Sequence, residues 1–116
     1  MSGLVKPITW LFGVVLVLVG ILGFVMNPIL GFFDVNMLHN IVHLASGAVG
    51  LIAASMSFAA SRMFLIVFGL VYLVVALAGF LAITAIVDLL LLNPADNFLH
   101  LAIAVVCLVV GFGSKS

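Results

Sequence analysis

"NMLHNIVHLA" (residues 36–45) sets two asparagines and two histidines at the head of an apolar stretch, and "NPADNFLHLA" (residues 93–102) repeats the arrangement near the far end of the chain. A shift of 57 positions lays Asn36 on Asn93, Asn40 on Asn97, His43 on His100 and Leu44-Ala45 on Leu101-Ala102, with His39 falling on Asp96. The stretches before them match at an offset of 56, where Phe12-Gly13 meets Phe68-Gly69, Val19 meets Val75, and Gly23-Phe24 meets Gly79-Phe80. Apolar coincidences carry little weight in so biased a composition, but the shared Asn-x-x-x-Asn-x-x-His indicates a duplication. Each expected unit is a two-helix hairpin, about residues 8–57 and 63–112. Because such hairpins enter from the same side, the copies are parallel repeats about an axis along the membrane normal.

Composition makes lipid the solvent. Of 116 residues, 68% are hydrophobic and 5% charged, and three basic plus three acidic side chains cannot clothe a water-soluble domain of this size. The net charge of zero offers no field for nucleic acid. Cys107 is the single cysteine, so no disulfide forms within the chain, and its apolar setting marks it as a small core residue. A helix needs roughly 20 apolar residues to cross the hydrocarbon. Four segments meet that length, at about 8–26, 37–57, 63–87 and 94–112, with breaks marked by Asn27-Pro28 and Gly31, by "SFAASR" ending in Arg62, and by Asn93-Pro94. The expected fold is therefore one all-α domain of four transmembrane helices. The first run is too long for a signal-peptide core and lacks a clear cleavage site, so it is expected to be retained.

Charge orients the spans. Lys6, Arg62 and Lys115 fall at one end of the four-span arrangement, and Asp34, Asp88 and Asp96 fall at the other. The positive-inside rule then makes both termini cytoplasmic, with Trp10 as an interfacial anchor and both polar clusters near the outer face.

Asn36 and Asn93 read as N-caps, supported by Pro94 and Asp96 in the first turn that follows. Asn40, His43, Asn97 and His100 lie deeper, His43 by roughly 10 Å at 1.5 Å per residue. Small residues follow at helical spacing, Gly47, Gly50 and Ala54 after His43, and Ala104, Cys107 and Gly111 after His100. Such ridges let membrane helices approach closely, so spans two and four are expected face to face with His43 and His100 in one layer. Three readings of the cluster stay open. The asparagines and histidines form a structural polar layer joining the hairpins. Alternatively, His43 and His100 are axial ligands of a haem or chlorin. In the third, His39, His43, Asp96 and His100 bind a metal, for which three imidazoles and a carboxylate suit Zn²⁺. Ser46 is expected to bond its own backbone. No phosphate loop, dinucleotide fingerprint or nucleophile elbow is present, and the expected protein is not an enzyme.

"FGVVLVLVGILGF", "HNIVHLASGAVGL" and "NPADNFLHLAIAV" resemble the small bacterial membrane proteins of domain-of-unknown-function family 4383 over nearly the whole chain. The resemblance implies four spans and the paired Asn40/His43 and Asn97/His100, in a bacterial inner membrane, and carries no activity. The function expected is that of a non-catalytic structural or accessory membrane subunit, the alternative being a haem-, chlorin- or metal-binding one. Its partners would be the lipid bilayer and other membrane subunits or a second copy of the chain.

Overall fold

The computed structural model describes residues 1–115. After a 3-10 turn at Ser2–Leu4 the chain forms α1 (Val5–Val25), α2 (Met37–Met56), α3 (Phe58–Phe80), a short α4 (Thr84–Leu90) and α5 (Pro94–Gly113). Four helices, α1, α2, α3 and α5, are long and apolar enough to cross a membrane. Helices suit this composition because a bilayer has no water for unpaired backbone groups. The side chains are distributed accordingly. Leu18, Phe24, Val74 and Phe98 lie on the outside, while Thr9, Asn40, Ser61 and Asn97 are buried. Polar groups turn inward in lipid, where each must find a partner or a cavity. Thr9 and Ser61 do so by donating to backbone carbonyls, Thr9 to Val5 and Ser61 to Ser57 and Ala53.

The third span departs from its expected limits of 63–87. It begins at Phe58, because Ser57 both ends α2 and caps α3 by accepting from the Ala60 amide. Arg62 is consequently not in a loop but inside α3, from where its Nε donates to the Gly111 carbonyl at 2.9 Å and to Ser114 Oγ at 3.2 Å. A cation there satisfies the carbonyl end of α5. At its other end α3 stops at Phe80, although the apolar run continues. Ala82 takes a left-handed conformation (φ 52°), its amide donates to the Gly79 carbonyl, and the Ile83 amide donates to that of Ala78. That is a Schellman termination, usually built on glycine.

Helix pairing follows chain order, α1 along α2 and α3 along α5, with α3 also touching α1 and α2. Among the described residues no Cα of α2 comes within 8 Å of one in α5. The expected close packing of spans two and four through their small ridges is thus corrected. Gly47 lies against α1, where a β-carbon would stand 2.6 Å from the Val17 nitrogen and 2.8 Å from the Gly13 carbonyl oxygen. Gly50 faces the Phe64 ring of α3, and Gly111 faces Ile66 of α3. The reason is steric. Where α2 and α5 face each other they carry imidazoles, which hold the backbones apart, so the glycines serve contacts with other helices. The core joining the two pairs comprises Leu16, Phe64, Leu65, Tyr72, Ile103, Ala104 and Cys107 among others, and Cys107 is the buried core residue expected.

Candidate metal centre

The N-terminal ends of α2 and α5 are fastened crosswise. Asn36 Oδ1 accepts from the His39 amide, and Asn93 Oδ1 accepts from that of Asp96, so both asparagines are the expected N-caps. Asp96 Oδ2 returns the bond by accepting from the Asn93 amide at 3.0 Å, completing a capping box. Each cap then uses its remaining donor on the opposite connection. Asn36 Nδ2 donates to the Leu89 carbonyl beside α5, while Asn93 Nδ2 donates to the Phe32 carbonyl and to Asp34 Oδ2 beside α2, each at 2.9 Å. The connection before α2 is itself braced by Asn27, which donates to the Val35 carbonyl and accepts from the Val35 amide.

Beneath this strap lie three histidines, His39 and His43 one turn apart on α2 and His100 on α5. All are at most 4% exposed. Their ring centroids stand 4.4 Å (39 to 43), 5.4 Å (39 to 100) and 6.1 Å (43 to 100) apart. One nitrogen from each lies within 4.8 Å of the other two. His39 Nδ1 is 2.9 Å from the Leu90 carbonyl. A carbonyl only accepts, so Nδ1 carries the proton and Nε2 presents its lone pair. That Nε2, His43 Nδ1 and His100 Nδ1 are buried without a hydrogen-bond partner. Three imidazoles thus converge without bonding to one another, and the one whose tautomer is fixed turns a lone pair away from its backbone partner. A backbone carbonyl on the far nitrogen is the usual support of a metal-ligating histidine.

The other predicted residues divide. Asp96 does not join the three-nitrogen group; its carboxylate serves the capping box, yet it lines a cavity of about 90 Å³ together with His43. Asn40 and Asn97 are buried in equivalent settings, the Oδ1 of each without a partner and each amide against a glycine of the preceding span, Gly23 and Gly79. They bond neither each other nor the histidines. Sequence reasoning missed Tyr72, whose buried ring lies 5.5 Å from that of His100. Its hydroxyl makes no hydrogen bond of good geometry, and Ser46 is the polar side chain beside it. The signal available was a lone tyrosine in the middle of an apolar span, where a polar tip needs an inward neighbour. The Leu90 carbonyl carries no sequence signal at all.

A porphyrin or chlorin plane does not fit between His43 and His100 as they stand, because the His39 ring packs against both. One nitrogen from each of the three rings is near enough to the others to make the cluster a candidate site for a single ion. No curated protein and no solved structure matches the chain. The family described as Domain of unknown function (DUF4383) matches over residues 6–113, and the chain belongs to that family.

Proposed function

We propose that this protein is a non-catalytic membrane protein that holds one transition-metal ion between His39, His43 and His100. The observation that carries the reading is the convergence of three buried imidazoles, each with a buried nitrogen that has no hydrogen-bond partner. A purely structural layer would pair those nitrogens, since an unmade bond in the interior costs about 1–3 kcal/mol. The cross-capping asparagines already fasten the hairpins and leave the histidines free for a ligand. Three neutral nitrogen donors suit Zn²⁺ or copper, with an open position for a fourth ligand. Asp96 is the carboxylate residue on the wall of the cavity that His43 also lines.

Two features frame this site. The matched contacts Gly23–Asn40 and Gly79–Asn97, at corresponding positions of the two hairpins, support descent of both from one duplicated hairpin. The clustering of Lys6, Arg62 and Lys115 at the opposite end supports cytoplasmic termini in a bacterial inner membrane and a metal centre near the outer face. The exposed apolar flanks are for lipid and for other membrane subunits.

Titration of detergent-solubilised protein with Zn²⁺ and with Cu⁺, followed by metal analysis, tests the reading. One ion per chain is expected, with His43→Gln and His43→Leu equally defective because neither replaces imidazole, and at least about a tenfold affinity loss in each. Binding that survives both substitutions, or is absent from the wild type, would return the histidines to a structural role.

A further inference from the structure

The cavity beside the histidines is almost wholly apolar. Val19 and Leu22 of α1, Ile29 of the first connection and Leu99 of α5 line it, and among the described residues His43 and Asp96 are its only polar side chains. Among the wall residues Asp96 Oδ2 is already engaged by the Asn93 amide. A water molecule typically needs two to four polar partners, which this wall hardly supplies, whereas an apolar cavity of about 150 Å³ stays dry and takes benzene or xenon. At about 90 Å³ this cavity admits only a molecule of a few heavy atoms. It is largely enclosed, and the surrounding bilayer concentrates apolar solutes relative to water.

From this geometry we infer that the cavity is a binding site for a small uncharged apolar molecule, of the size of a diatomic gas, held against His43 with access to the open position of the metal. This rests on the metal reading above for its second half only. His43 is the shared element: it lines the cavity on one side and belongs to the three-nitrogen group on the other. A polar or charged ligand of the same size would lose its hydration on entering and regain almost nothing.

Two measurements separate the halves. Xenon pressurisation of crystals grown from lipid, with the chain metal-free, is expected to place a xenon atom in the cavity. Val19→Phe is expected to abolish that site, and Leu99→Phe serves as a second filling variant if the first does not fold. Carbon monoxide added to Cu⁺-loaded protein is then expected to give a single carbon–oxygen stretching band in the infrared, shifted or lost in whichever filled variant still loads copper. Absence of xenon from the wild-type cavity overturns the inference and leaves metal binding untouched. Xenon in the cavity with a carbon monoxide band indifferent to filling overturns the link to the metal. Failure of the wild type to load either ion overturns the metal reading instead, and xenon occupancy still decides the cavity.

Discussion

Gly23 and Gly79 stand where any β-carbon would run into the amide of Asn40 and of Asn97. Glycine is required there by close approach, since both residues are helical and need no unusual backbone angle. Gly23→Ala and Gly79→Ala should each destabilise the fold by about 1–3 kcal/mol, the usual cost of overpacking. Gly3→Ala, with nothing near its β-carbon, should be neutral. Because the clash is with one named side chain, adding Asn40→Ala to Gly23→Ala should recover much of the loss, and unfolding of the single and double variants measures that coupling. Simple additivity would show that the glycine answers to something other than the amide. Gly47 and Gly50 separate on the same logic. Gly47 meets backbone, which cannot move aside, whereas Gly50 meets the far edge of the Phe64 ring. Alanine at 47 should therefore cost more than alanine at 50.

Helix ends decide where the elements stop. Ala82 and Leu91 both hold left-handed angles, φ 52° and 55°, at the ends of α3 and α4. A β-carbon in that region costs roughly 1–2 kcal/mol. Ala82→Gly should thus raise stability by about 1 kcal/mol, read as a higher unfolding midpoint in a mild detergent. No gain would mean that the longer unfolded-state freedom of glycine offsets the relieved strain. At the opposite termini, Asn36 and Asn93 each cap one helix and tie down the other pair's connection. Asn36→Ala should cost about 1 kcal/mol or more through the lost cap. It should also weaken metal binding, because the Leu89–Leu90 segment that it holds is what orients His39. Metal affinity unchanged in this variant would show that the Leu90 carbonyl keeps its place without the asparagine.

Across the whole molecule the two polar ends are unlike. One end gathers Lys6, Arg62 and Lys115, with Ser2 bonded to Lys115 and Arg62 bonded into the end of α5. The other gathers the three aspartates, the crossed asparagines and the histidines. A cysteine introduced beside Asp34 should be labelled by an impermeant reagent added outside intact cells, and reporters at Lys115 or near Arg62 should stay inside. Labelling from the cytoplasmic side alone would invert the molecule and put the histidine cluster on the inner face. The one natural thiol, Cys107, is buried and should not interfere with the assay.

The sequence by itself determined the number of spans, the two caps and the separation of the charges. Each of these follows from local composition: a run of apolar residues long enough for a bilayer, an asparagine ahead of a helix, a charge placed near the end of an apolar run. It misjudged the third span because Ala82 performs a termination usually marked by glycine, and a backbone angle leaves no trace in residue type. Tertiary structure alone decided which helices touch. Glycine ridges report that some backbone approaches closely, and they name no partner; here they serve α1 and α3 instead of joining α2 to α5. The meeting of His39, His43 and His100 was one of the readings that the duplicated cluster left open: i,i+4 spacing places His39 and His43 on one face, but only the packing of the two hairpins brings His100 to them and leaves the Asp96 carboxylate in its capping box. The tautomer of His39 depends on a main-chain carbonyl 51 residues away, a group that every residue carries alike and that only the fold can single out.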